Sequence, residues 1–295
     1  MFLGGKMRLV IELQPVSDRN QLSDTIQFVI PKLIKFIISR SKNENAALYR
    51  EKKISEFLNY NLKISPKPNI YNNTIIIGEN YKLNLTISSY SPEVIDILTD
   101  SLNNLNYVLI LNHKFKINNV ELLETAEINE KVKIRPLSPI LSGEIKDGRK
   151  FPFYYKWNDE NFFKVMISQI KEDYREIFGE DVSEHELNIE FDKGYLRHHN
   201  SITQLVTVHK RTQRAIWSPM YISGDSKLIG FTLDRGLGIN REIGYGMIES
   251  YTPKKREKVN LKKKKLNLDE LPDNFGNLIE NNPIPEDEDT RGLYD

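Results

Sequence analysis

Gly236-Leu237-Gly238-Ile239-Asn240-Arg241-Glu242-Ile243-Gly244-Tyr245-Gly246-Met247 sets two Gly-x-Gly pairs on either side of a short polar and basic stretch. Glycine accepts positive φ and has no Cβ, so closely spaced pairs let the backbone come within hydrogen-bonding distance of something bulky. Asn240 and Arg241 between the pairs favour an anionic visitor. The dinucleotide fingerprint needs Gly-x-Gly-x-x-Gly between a strand and a helix, and the nucleotide P-loop ends in Gly-Lys-Ser/Thr; neither is present. Met247-Ile248-Glu249 reads as a strand, so the glycines lead into a sheet edge. Taken alone, such a segment is as often a plain turn, and the surrounding chain decides.

Upstream of the loop, a strand is expected over 132–141 and a helix over 160–178, with Phe163, Ile167, Ile170 and Tyr174 on one face. Strands follow at 187–191, 202–208 and 215–222, then a short helix over 226–233. The first half reads in the same way. Arg8-Leu9-Val10-Ile11-Glu12-Leu13 is a strand, residues 22–40 are a helix kinked at Pro31, and 57–64 is a second strand. In 81–88, Tyr81, Leu83, Leu85 and Ile87 line one face, as a half-buried strand requires. Ser91-Pro92-Glu93 opens a helix with a cap, a first-turn proline and an early acid; Val94, Leu98, Leu102 and Leu105 form its stripe. A strand over 115–123 completes the β-α-β-β-α-β order of a ferredoxin-like unit. The fold class is therefore α+β: two tandem ferredoxin-like (RRM-like) domains over 1–131 and 132–250, with the glycine loop before the last strand. Residues 251–295, Lys-rich and then rich in Asn, Pro, Asp and Glu, hold too few apolar side chains for a core and are expected to form a disordered tail.

Composition excludes several functions. With no cysteine in 295 residues, the chain has no thiolate nucleophile and no Cys-type zinc site, and it suits a reducing cytoplasm. No run is apolar enough to span a bilayer, since 26–38 is broken by Pro31, Lys32 and Lys35, and residues 1–7 lack the apolar region of a signal peptide. The net charge of +1 hides a segregation: nine Lys/Arg against three Glu from Lys32 to Lys67, and eight against four acids from Glu190 to Arg241. Brought together, the two stretches make a groove for a polyanion; apart, they are solvated faces.

The Arg8–Leu13 strand, the strand closed by Ser88-Ser89 with the Pro92-Glu93 helix, Leu137-Ser138-Pro139-Ile140 at the domain junction, and the glycine loop with Tyr245 in its aromatic place together resemble one family. It is the CRISPR-associated endoribonuclease family that cuts the repeats of precursor CRISPR RNA, a branch of the RAMP superfamily. The likeness spans about residues 7–249. It implies RNA bound along the cleft between the domains and metal-free cleavage, in which the 2′-hydroxyl attacks the adjacent phosphorus and leaves a 2′,3′-cyclic phosphate. It also implies antiviral defence as the setting and the CRISPR repeat RNA as partner, with a CRISPR effector complex or a second copy of the chain as further partners and no cofactor.

Many members of that family carry a histidine shortly after the first helix, then a lysine, with a tyrosine inside the helix. This chain has no histidine before His113. The corresponding stretch is Ala47-Leu48-Tyr49-Arg50-Glu51-Lys52-Lys53, with Tyr49 in the histidine's place. Tyr49, Lys52 and Lys53 are the catalytic candidates, Tyr49 serving as base only if neighbouring cations depress its pKa. Gln27 and Phe28, nearest to the helix tyrosine's place, cannot transfer protons. Two other readings stand: histidines of the second domain enter the site, or the protein holds the repeat without cutting it. RNA contacts are expected from Lys35, Arg40, Arg50, Arg197, His198, His199, Lys210, Arg211 and the loop residues Gly236, Gly238, Asn240, Arg241, Gly244 and Gly246. His198 and His199 read as lying on a hairpin and are not at metal-ligand spacing, so no metal site is expected. Trp157, Trp217 and the run Phe151–Tyr155 are core residues or base-stacking platforms. A single-strand RNA binder built from tandem RRM-like domains is a more distant reading that leaves the glycine loop unexplained.

Overall fold

A computed structural model describes residues 8–23, 25–123, 128–146, 148–199, 201–208 and 211–250, and the backbone of 256–258. Alternation in the first half resolves into β1 (Arg8–Pro15), β2 (Asn20–Ser23), α1 (Ile30–Ile38), α2 (Ala46–Glu51), β3 (Asn59–Ser65), β4 (Ile70–Tyr71), β5 (Thr74–Ile77), β6 (Lys82–Ser88), α3 (Pro92–Asn103), β7 (Tyr107–Ile110) and β8 (His113–Leu123). The main antiparallel sheet runs β8-β1-β6-β3. Its register sets Ile11 opposite Leu85 on one side and Val120 on the other, so Leu9, Ile11, Leu13, Leu83, Leu85 and Ile87 share one buried face. Ile30, Ile34 and Ile37 of α1 and Val94, Leu98 and Leu102 of α3 cover that face. Each such side chain taken from water contributes roughly 1.5–3 kcal/mol, and this burial fixes the register.

The second half contains β9 (Lys131–Pro136), β10 (Ser142–Glu144), β11 (Phe153–Tyr155), α4 (Asn161–Phe178), β12 (Leu187–Phe191), α5 (Lys193–His198), β13 (Thr203–Val208), β14 (Arg211–Ile216), β15 (Met220–Gly224), α6 (Ser226–Arg235) and β16 (Ile248–Ser250). Its sheet runs β12-β15-β9-β16, the same order as the first, with the first and third strands of the unit in the middle. Both halves are ferredoxin-like, and β16, which follows the glycines, is an edge strand. No helix among the described residues is long and apolar enough to cross a membrane.

Several expectations are corrected. Pro31 does not kink a long helix; it stands in the first turn of α1, where its missing N–H costs no hydrogen bond, and Leu22 belongs to β2. The expected strand 132–141 stops at Pro136. The single strand expected over 215–222 is two strands, broken at Trp217-Ser218-Pro219, because proline cannot donate to a ladder and the chain passes there from the β13–β14 hairpin into the second sheet. The buried stripe of α4 is Phe162, Met166, Ile170 and Tyr174, with Phe163 and Ile167 half-buried beside it. His198 and His199 are not on a hairpin. His198 ends α5, which Asp192 caps through the Gly194 and Tyr195 amides, and His199 follows it. Of 251–295, Arg256–Lys258 is a strand, β17, pairing with Glu121–Leu123 of β8; the rest lies outside the described residues.

The two sheets meet at the end of α6. Arg8 is buried and donates from Nη2 to the Leu233 and Ile248 carbonyls, at 3.0 and 2.9 Å. Ser88, its partner across β1 and β6, donates to the Asp234 carbonyl at 2.8 Å. A helix leaves its last carbonyls unpaired and carries partial negative charge there. A cation and a hydroxyl from the first sheet satisfy them and fix where the glycine loop begins.

Candidate functional site

The loop's glycines approach the protein itself. A Cβ on Gly246 would stand 2.0 Å from the Leu237 carbonyl oxygen, and one on Gly238 would stand 2.1 Å from that of Leu141; both residues have φ of +76. Gly236 faces the Asn59 side chain and Gly244 the Tyr60 ring, both on β3. Close approach is thus required, as the spacing predicts, but the bulky neighbour at each glycine is this chain. The loop closes on itself through Leu237 N–H to Gly246 O at 2.8 Å, and Gly246 N–H donates to Pro139 O at 2.8 Å. Met247 N–H donates to Ser138 Oγ at 2.8 Å. The Ser138-Pro139-Ile140 element and the glycine loop, about a hundred residues apart in sequence, are therefore one hydrogen-bonded unit.

Tyr60 ties this unit to the first domain. Its hydroxyl is within hydrogen-bonding distance of the Gln27 carbonyl at 3.0 Å and the Glu242 carbonyl at 3.1 Å, and burial pushes its pKa well above the ordinary tyrosine value. Asn240, in the left-handed region, donates to the Tyr154 hydroxyl at 3.2 Å. The anion beside Arg241 is Asp173 of α4, 2.9 Å away. Asp173 also pairs with Arg235, whose side chain is only 3% exposed. Burial, with the nearby charge of Arg241, pushes the Arg235 guanidinium down to about 9, against the pull of Asp173.

Tyr49 lies on α2 with its hydroxyl donating to Glu93 Oε2 at 2.9 Å, while Asn45 donates to the other carboxylate oxygen at 2.6 Å. Phe57 packs against its ring at 5.2 Å, and the Lys52 ammonium stands 5.6 Å over it. The expected depression of Tyr49 by cations is corrected. Burial raises its pKa and the Glu93 hydrogen bond and charge add to the rise, outweighing the one lowering contact, a hydrogen bond with Ser91. Tyr49 therefore keeps its proton at neutral pH. Tyr90 packs its ring against Phe178 and Phe231 and donates its hydroxyl to the Glu56 carbonyl, and burial, then the charges of Tyr49 and Asp173, raise its pKa to about 12 against Arg241.

The Ile54–Glu56 turn, directly after Lys53, packs against Arg241–Ile243 of the loop, and Arg50, Lys52 and Lys53 ahead of it are exposed. Other expected contacts stand elsewhere. Lys35 is in the last turn of α1, and Arg40 lies just beyond it, over the Phe36 ring. Arg197, His198 and His199 are exposed at α5, where His199 stacks flat on Tyr195 at 3.6 Å. Arg211 begins β14, and Lys210 is outside the described residues. Sequence reasoning missed Glu93, Tyr90, Asp173 and Arg235. Glu93 offered a signal in its place at a helix start, which reads equally well as capping, and Arg235 offered one in directly preceding Gly236.

Two tandem ferredoxin-like domains, with a glycine loop that opens the last strand, define the fold class. Residues 122–250 match the family model described as CRISPR associated protein Cas6, C-terminal. That match makes residues 122–250 similar to the C-terminal part of CRISPR-associated Cas6 proteins. Among solved structures, a Cas6-related protein from Pyrococcus furiosus is similar at 19% identity and a TM-score of 0.67, over 83% of this chain and 98% of that one. A structure described as a RAMP protein binding different RNA substrates is similar at 18% and 0.66, over 83% and 100%. One described as CRISPR associated protein Cas6 is similar at 20% and 0.63, over 83% and 99%. No curated protein matches the sequence significantly.

Proposed function

We propose that the protein is a CRISPR repeat-specific endoribonuclease that processes precursor CRISPR RNA without a metal, by attack of a 2′-hydroxyl on the adjacent phosphorus to give a 2′,3′-cyclic phosphate. The observation that carries this reading is the packing of the Ile54–Glu56 turn, which follows Lys53, against Arg241–Ile243 of the glycine loop, in a chain whose residues 122–250 match the Cas6 C-terminal model. The RNA substrates in one structural relative's description point to the same ligand. The chemistry needs a destination for the 2′-hydroxyl proton, a proton for the departing 5′-oxygen, and cations for the charge of the phosphorane. Tyr49, held protonated, suits the second task and not the first. Lys52, Lys53 and Arg50 suit the third. With no strong base among these groups, the 2′-hydroxyl proton passes to solvent and catalysis leans on positioning and charge. General acid-base catalysis contributes about 10²–10⁴ in rate, so the enzyme is slow.

A second reading has its own observation. Tyr49 is already engaged by Glu93 and its pKa is raised, as suits a subunit that retains the repeat in a CRISPR effector complex without cutting it. Incubating the purified protein in EDTA with its own locus's labelled repeat, beside a repeat with 2′-deoxy at the scissile nucleotide, separates the two. Nuclease action cuts the first, spares the second and leaves a cyclic phosphate detectable by mass spectrometry. Tyr49→Phe then slows cleavage by about 10². Tight binding without cutting leaves the repeat-holding subunit.

A further inference from the structure

Tyr154 reaches from β11 toward the loop to accept the Asn240 bond. By the two-residue alternation of a strand, its neighbours Phe153 and Tyr155 point to the other side, their rings edge to face at 5.1 Å. The Lys146 ammonium lies 4.4 Å over Phe153 and 5.5 Å over Tyr155, and the Arg149 guanidinium lies 5.7 Å over Phe153. Arg211 of β14 stands 4.9 Å over Phe151, which Lys150 flanks at 5.9 Å. These rings are half-buried, Tyr155 with one side against the second-domain core, and these cations are exposed. Among the described residues Glu144 is the carboxylate of this cluster, accepting from the Tyr155 hydroxyl and lying 3.7 Å from Lys146; Asp147, between Lys146 and Arg149 in the sequence, lies outside them.

Four cations exceed the two acids of this stretch, Glu144 and Asp147, and, interleaved with flat ring faces, they select a ligand that is anionic and has π-faces to offer. An acidic peptide supplies the charge without the stacking, and a duplex hides its base faces. We propose that the β10–β11 hairpin with the start of β14 binds a single-stranded stretch of RNA. Bases stack on Phe151, Phe153 and Tyr155, while Lys146, Arg149, Lys150 and Arg211 move from the ring faces to the phosphates as the bases enter. The proposal rests on the reading of this chain as an RNA-processing or RNA-holding protein, and it adds a second contact region, on the face of β11 turned away from the glycine loop.

The test is fluorescence anisotropy with the full chain, using a fluorescein-labelled oligouridine dodecamer and, separately, the locus's own repeat, from 50 to 200 mM salt. Phe153→Leu, which keeps an apolar side chain, should weaken dodecamer binding about five-fold or more. The quadruple variant K146Q/R149Q/K150Q/R211Q alters exposed groups only, and should lower the salt slope by about 0.7 for each cation removed. Thermal melts of both variants identify a folding defect, and the charge variant decides if Phe153→Leu has one. Unchanged affinity and slope, with the wild type still binding the repeat, would overturn this platform and leave the RNA reading intact. Displacement of the dodecamer by an equal concentration of a polyglutamate dodecamer would overturn it in favour of an acidic protein ligand. A wild type that binds neither RNA overturns both readings.

Discussion

Replacing Asp173 by asparagine tests whether one carboxylate holds the glycine loop's two arginines in place. Arg235 is 3% exposed and Asp173 26%, so the substitution strands a buried guanidinium with no countercharge. Removing one partner of a buried pair costs about 3–5 kcal/mol. Asparagine retains an acceptor and water reaches a quarter of the site, which brings the expected loss to about 2–3 kcal/mol. For a chain of this size each kcal/mol is worth about 2–4 °C, so the melting midpoint by far-ultraviolet circular dichroism should fall by about 4–12 °C. Arg241→Gln should cost under about 1 kcal/mol, because Asp173 then serves Arg235 alone and a charge that pushes Arg235 down is gone. By the same argument the double variant D173N/R241Q is more stable than D173N. A D173N midpoint within about 2 °C of wild type, or an Arg241→Gln loss as large as that of D173N, refutes the argument.

Gly246→Ala forces a methyl against the Leu237 carbonyl at φ +76, whereas Gly179→Ala has an equally left-handed φ of +67 and nothing within 4 Å. Urea unfolding should therefore cost Gly179→Ala about 1–2 kcal/mol and Gly246→Ala about 1–3 kcal/mol more; equal losses would mean that crowding in the loop is not what its glycines relieve. Tyr90, with its pKa raised to about 12, binds its proton more tightly folded than unfolded. Its contribution to stability is full below the ordinary value near 10 and is lost as the pH rises from about 10 to 12. Tyr90→Phe should reduce that alkaline fall in urea midpoints, leaving the part due to the other tyrosines held above their ordinary value, Tyr49, Tyr60, Tyr154, Tyr174 and Tyr245 among them, and a slope unchanged in the variant would disprove the assignment.

What the sequence made legible follows from the range of each signal. Leu83, Leu85 and Ile87 stand two apart with polar residues between them, and all three are buried on one face as that pattern requires. On α4 Ile170 and Tyr174 are buried as the stripe requires, but its first two positions fall one residue earlier, at Phe162 and Met166, because Phe162 and Phe163 are both apolar and only the facing sheet chooses between them. The Tyr49–Glu93 hydrogen bond spans 44 positions and the Arg235–Asp173 pair 62. No local pattern encodes such pairs, so the sign of the Tyr49 shift could not be had from its neighbours Arg50, Lys52 and Lys53.

The same limit explains the loop. Two glycine pairs around Asn240 and Arg241 announce close approach and an anion, and both exist, yet the close neighbours are Leu141, Leu237, Asn59 and Tyr60 and the anion is Asp173. Consecutive loop residues then touch opposite neighbours. Asn240 meets Tyr154 of β11, and Arg241 meets Asp173, while Arg241–Ile243 packs on the Ile54–Glu56 turn after α2. On the proposed function and the proposed β11 platform, a loop clamped in this way is a spacer between the exposed cations after α2 and the aromatic face of β11, holding the two regions in register for one RNA. Gly246→Ala, by displacing the loop, should then weaken repeat RNA binding while leaving the dodecamer's affinity for the β11 face near wild type, a split that contact through the glycines alone would not produce.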